Sequence, residues 1–198
     1  MGVGLRLGLG LCVCHISSTG VHSFVCKKAP GRTARQHALN DLIARTLVSA
    51  GIPVTKEPNG LSRSDGKRPD GLTLVPWKED KPLTWDSTVI CTVADSYVSA
   101  SAREAGTAVK TAAQRKEAKY ATLQGTHLFQ PVVVESMGTV EEATSSFLAE
   151  LGNRITAMSG DSREISFLFQ RVSVLVQRFN SVLLRKSFTA DSRLDDDL

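Results

Sequence analysis

Two aspartates carry the first chemical suggestion in this sequence. Arg68-Pro69-Asp70-Gly71 opens one apolar run, and Trp85-Asp86-Ser87-Thr88 lies inside the next. A carboxylate among β-branched and aromatic residues needs compensation when it is buried. Two carboxylates brought together repel each other unless a cation or a proton lies between them. A hard divalent cation such as Mg²⁺, or Mn²⁺ in its place, takes such oxygen ligands. It can then activate a water for attack on phosphorus and steady the leaving oxygen.

A β-hairpin must position this pair. Residues 71–77 (GLTLVPW) and 83–93 (LTWDSTVICTV) have strand composition, with a charged turn at 78–81 between them. Register decides whether the acids meet. A five-residue loop, 77–81, pairs Leu72 with Asp86 and sets Asp70 diagonal to Asp86 on one face, about 7–8 Å away. A four-residue loop sends them to opposite faces. In that case Asp70 caps a turn and Asp86 faces solvent, leaving a plain α/β scaffold.

Other elements flank the hairpin. Thr33 and Gln36 have capping-box spacing, and Leu39, Leu42, Ile43, Leu47 and Ala50 share one helical face. Gly51 and Pro53 close that helix. Residues 52–56 read as a short strand and 102–123 as an Ala/Lys/Glu/Gln helix. Residues 127–135 read as a buried strand, and 140–158 and 163–184 as two more helices. The order α-β-β-β-α-β-α-α predicts an α/β fold, a mixed sheet with helices on its faces. On the last helix the expected core side is Phe167, Leu168, Val172, Leu175 and Phe179.

Cys12-x-Cys14-x₇-His22-x₃-Cys26 is a second constellation. Four such N and S ligands suit structural Zn²⁺, with His15 as a competing ligand. The other reading is three thiols outside any site. Cys91 lies in a strand run and reads as a core cysteine.

The chain has 198 residues, 41% of them apolar, and a net charge of +4, the balance of a globular protein with a leaning toward anionic partners. Lys27, Lys28, Arg32 and Arg35 run into the first helix, with no acid before Asp41. Lys110, Arg115, Lys116 and Lys119 line the central helix, and Arg171, Arg178 and Arg185 recur every seven residues on the last. Patches of this kind neutralise phosphates without reading sequence. The other reading is a solvated face. No apolar stretch is long enough to span a bilayer. Arg6 interrupts the apolar start and no cleavage site follows, so secretion is not expected. The sequence also lacks a P-loop and a nucleophile elbow.

RPDG followed about fifteen residues later by WD-x-T resembles the PD-(D/E)xK nuclease motif. More closely, the chain resembles the restriction-like endonuclease domain that follows the reverse transcriptase of early-branching non-LTR retrotransposons. The blocks that carry the likeness are GRTARQHALNDLI, EPNGLSRSDGKRPDGLTLVPW, LTWDSTV, RKEAKYATL, FQPVVVES and FLFQRVSVLVQRFN. The resemblance implies a restriction-endonuclease-like core with an α-β-β-β-α-β order and extra C-terminal helices. It implies a CCHC zinc knuckle over 1–32, a nuclease domain over 33–190 and an acidic, disordered tail over 191–198. It implies Mg²⁺-dependent nicking of DNA, with Asp70 and Asp86 as metal ligands. Many relatives place a lysine two residues after the second acid, where this chain has Thr88. In the retrotransposon version the following helix supplies it, which points to Lys116, then Lys119, in Lys116-x-x-Lys119-Tyr120. That family also makes Asn40 or Asp41 candidates for a further polar group near the metal. The implied partners are DNA, RNA and the parent element's reverse transcriptase, and Lys27, Lys28, Arg32, Arg35 and Arg68 are the candidate contacts to nucleic acid. The implied location is nuclear or cytoplasmic. The alternative is a remnant of the same fold that binds nucleic acid without cutting it.

Overall fold

A computed structural model of the chain describes residues 21–26, 30–62 and 66–191. Cys12, Cys14, Lys27, Lys28 and the acidic tail lie outside the described residues. Within them the fold is mixed α/β, with a four-stranded mixed sheet and six α-helices.

Strands β1 (Val54–Lys56), β2 (Gly71–Lys78), β3 (Lys81–Ile90) and β4 (Leu128–Glu135) lie side by side in chain order. β1 and β2 are antiparallel, as are β2 and β3, while β3 and β4 run parallel. A parallel pair needs a crossover, here through α3 (Val98–Ser101) and α4 (Thr107–Lys119). The helix expected over 102–123 is therefore two helices. Gly106 separates them with φ +82°, a left-handed backbone that costs glycine little.

Helix α1 (Val21–Val25) precedes α2 (Pro30–Ser49). α2 begins three residues before Thr33 and so crosses the boundary expected at residue 32. Proline is tolerated in a first helical turn, where its missing N–H has no partner to lose. Helices α5 (Glu142–Ser159) and α6 (Glu164–Asp191) complete the chain.

The period of β3 sorts the two faces of the sheet. Leu83, Trp85 and Val89 join Val132 and Val134 of β4 in a large core with α2, α5 and α6. Ile90 and Val133 face the other way, against Ala108, Val109, Ala112 and Ala113 of α4. Those small residues let α4 sit close to the sheet. On α6 the buried row is Leu168, Val172, Val176 and Leu183, whereas Phe167, Leu175 and Phe179 are half-buried. The core face is thus turned relative to the expected one. Cys91 is buried, as expected.

The hairpin register differs from both expected loops. Its turn is two residues, Glu79 and Asp80, both left-handed (φ +51° and +54°), which matches a tight turn to the strand twist. From Leu72↔Thr84 to Lys78↔Lys81, β2 advances six residues while β3 advances three. The irregularities flank Pro76, which has no N–H for the ladder. Gly71 then pairs with Trp85, and the Asp70 N–H donates to the Trp85 carbonyl at 2.9 Å.

Gly71 lies against the indole of Trp85, so a Cβ there would fall 2.0 Å from Trp85 Cζ2. The indole is fully buried and has no room to retreat. Gly71→Ala is expected to destabilise the fold by about 3 kcal/mol, read as a lower urea midpoint at unchanged slope. A loss within about 0.5 kcal/mol would contradict this packing.

Candidate active site

Asp86 sits in the middle of β3, 4% exposed, on the face covered by α4. Lys116 and Lys119 of α4 reach it. Lys116 Nζ donates to Oδ1 at 2.5 Å and Lys119 Nζ to Oδ2 at 3.1 Å. Three-residue spacing puts both lysines on one helix face. Burial alone pushes the Asp86 carboxyl up, but Lys116 foremost, then Lys119, outweigh it and hold the group below the ordinary carboxylate range.

Asp70 is held from its other side. Its Oδ2 accepts from the Ser87 N–H at 2.7 Å and the Ser87 hydroxyl at 2.6 Å. Among the described residues Oδ1 accepts no hydrogen bond. Burial, then the charge of Asp86, push the Asp70 carboxyl up, against the Ser87 bonds and Lys116.

The backbone around Asp70 is fixed from two directions. Trp85 Nε1 donates to Asn40 Oδ1 at 2.8 Å, and Asn40 Nδ2 donates to the Asp70 carbonyl at 3.3 Å. On the α4 side Tyr120, fully buried, donates its hydroxyl to the Arg68 carbonyl at 2.8 Å and accepts from Lys119 Nζ at 2.6 Å. Its ring packs against that of Phe129 in a tilted pair, with centroids 4.8 Å apart. Of the two polar candidates on α2, Asn40 therefore supports the site. Asp41 pairs with Lys56 at the surface instead.

The structure gathers Asp70, Asp86, Lys116 and Lys119 into one cluster and distributes the other candidates. Arg35 is corrected from a phosphate contact to a core residue. It is 1% exposed, and its guanidinium donates to Asn180 Oδ1 at 2.7 Å. Burial, with nearby Arg32, lowers its pKa to about 10. Arg32 is turned inward to the Val25 carbonyl at 3.1 Å. Arg68 engages Glu57 and Asn59. His22 and Cys26 lie one turn apart at α1, the Cys26 N–H donating to the His22 carbonyl at 2.9 Å. Ser87 and Asn40 owe their roles to the fold. Neither has a spacing signal in the sequence beyond lying next to Asp86 or on the helix that packs against β3.

Asp70 and Asp86 are the oxygen-bearing side chains of the cluster that could hold a hard cation. Among the described residues no three His, Cys, Asp or Glu side chains converge on one point. No helix among them is long and apolar enough to cross a membrane. No protein-family model matches the chain, and no curated protein matches it in sequence.

The two acids are expected to respond oppositely to neutralisation. Asp86, with its lowered pKa, contributes stability that is present above the ordinary carboxylate range and lost as pH falls through that lowered value. Asp86→Asn leaves two lysines without their counter-charge and is expected to cost about 3 kcal/mol at neutral pH. Asp70, with its raised pKa, lowers stability as pH rises through that value. Asp70→Asn is expected to raise Tm at neutral pH, with the gain vanishing below about pH 4. Thermal melts across pH check both signs, and a loss of Tm in Asp70→Asn at pH 7 would refute the assignment.

Proposed function

We propose that this chain is a divalent-metal-dependent DNA endonuclease domain of restriction-endonuclease-like fold, derived from a non-LTR retrotransposon. The observation that carries the reading is the convergence of Asp70 and Asp86 with Lys116 and Lys119. Two carboxylates, that of Asp70 pushed up by burial and then by the charge of Asp86, beside two ammonium groups, would supply both halves of phosphodiester hydrolysis. Asp70 and Asp86 would hold Mg²⁺ or Mn²⁺. When bound, the ion acidifies a coordinated water and neutralises charge on the phosphate.

The chain's own residues do the rest. Ser87 orients the Asp70 carboxylate through Oδ2 and leaves Oδ1 as the oxygen that would be offered to a cation. Asn40, Trp85 and Tyr120 fix the backbone that presents it. Lys116 is the nearer ammonium to Asp86 and is the first choice for steadying the attacking oxygen and the pentavalent phosphorus. Lys119 is the second. Its bond to Tyr120 restrains how far it swings. Thr88, in the usual lysine position, has no role in this scheme, and α4 substitutes for it. The resemblance extends to a zinc knuckle in which His22 and Cys26 would join Cys12 and Cys14. It also extends to RNA and to the parent element's reverse transcriptase as partners, at a nuclear or cytoplasmic location.

A second reading also has an observation behind it. Both oxygens of Asp86 already carry a lysine, as in a structural ion-pair network. A nucleic-acid-binding remnant that no longer cuts would keep that arrangement.

Nicking of supercoiled plasmid by the purified chain in Mg²⁺ or Mn²⁺ separates the two. The nuclease reading expects metal-dependent nicking that falls at least about 100-fold in Asp70→Asn and in Lys116→Met. A Tm of Asp70→Asn at or above that of wild type, measured alongside, separates its inactivity from unfolding. A folded wild-type chain that binds DNA without nicking it would leave the remnant.

A further inference from the structure

A cleft of about 620 Å³ opens between α2 and α6, lined by both helices. Arg45 of α2 and Arg171 and Arg178 of α6 stand around it, all three exposed. Among the described residues none of the three makes a hydrogen bond or ion pair, whereas Arg68, Arg154 and Arg163 each engage a carboxylate. The one acid in the cleft, Asp41, is already paired with Lys56. Three positive charges therefore face the opening uncompensated.

The floor is apolar. Phe167 and Phe179 are half-buried at positions twelve residues apart on α6, and Val174 between them is 66% exposed. Twelve residues of helix span about 18 Å, and Arg171 and Arg178 stand about 10 Å apart along it. Isolated phosphates gain nothing from such a floor. Unpaired bases do, because each has a face that stacks on an aromatic ring or a guanidinium plane.

We infer that the α2/α6 cleft seats a single strand of nucleic acid, with its phosphates on Arg45, Arg171 and Arg178 and its bases on the apolar floor. The choice of nucleic acid among polyanions rests on the nuclease reading and on the aromatic residues of the floor, since bases stack on such rings. An acidic protein helix would match the charge, and displacement by an acidic peptide is therefore an outcome of the test.

The test is fluorescence anisotropy with a labelled oligothymidylate of about 20 nucleotides and the full chain, at about 50–300 mM salt. Arg171→Ser/Arg178→Ser is compared with wild type. These are exposed positions, and an unchanged Tm establishes that the fold is intact. Loss of two phosphate contacts is expected to reduce the slope of log K against log salt by about 1.4. Wild type is expected to bind the oligonucleotide about tenfold or more tightly than an abasic strand of the same charge, and the double variant more weakly than wild type. An unchanged slope overturns the inference. So does equal binding of the abasic strand or of a duplex, and so does displacement by a polyglutamate of equal charge. Asp70→Asn is expected to retain the wild-type slope, so failure of nicking and failure of this seat are read separately.

Discussion

Asp86 is a carboxylate placed on the second strand from the sheet's parallel edge, with almost no access to water, and kept charged there by two lysines from one helix. Much of the surrounding architecture follows from that requirement. Burying an isolated carboxylate is prohibitive, so the site exists only where a helix can bring cations to a strand. α4 does this because its inner face is alanine and valine up to Ala113. It lies close to β3 and β4 before its polar end begins at Gln114. The lysines extend from that end along the sheet to the aspartate.

The opposite side of the sheet supplies stiffness rather than charge. Trp85 is buried under α2, and its one polar atom is committed to Asn40. That bond and the fit of Gly71 against the indole fix the start of β2, just after Asp70. α2 is itself held to α6 by the buried Arg35–Asn180 contact, and Asn180 in turn donates to the Ser136 carbonyl just past β4, at 2.6 Å. At the far end of the hairpin, Trp77 meets Phe147 of α5 edge-on at 5.8 Å, with the Arg154 guanidinium 3.8 Å from its ring. Asp70 and Asp86 are thus carried on a hairpin clamped at both ends.

The sequence made several elements legible for physical reasons. Helix α2 showed its buried face through the spacing of Leu39, Ile43 and Leu47, and β2, β3 and β4 showed through strand composition. Both acids stood out because they interrupt apolar runs. What stayed hidden depended on distant partners. The hairpin register turned on how the strand absorbs Pro76, which loop length alone does not reveal. Arg35 looked like part of a basic approach because its partner, Asn180, is 145 residues away. The buried row of α6 included Val176 rather than Leu175 because the packing of α6 against both α2 and α5, and not the periodicity of α6 alone, decides which row goes inward. Asn40 was one of two adjacent polar residues, and only the position of Trp85 distinguished it from Asp41.

The parallel pairing of β3 with β4 also bears on how the chain acquires its site. Lys116 lies thirty residues beyond Asp86, inside the connection that must loop over before β4 can dock. Until that crossover closes, Asp86 has no counter-charge and no shelter from water. Local hairpin formation therefore cannot assemble the cluster. The cluster appears together with the long-range topology, the slow part of folding for a chain of this kind. A nascent or partly unfolded copy, even one with its hairpin intact, would carry the two acids without the lysine charges that the folded chain sets beside them.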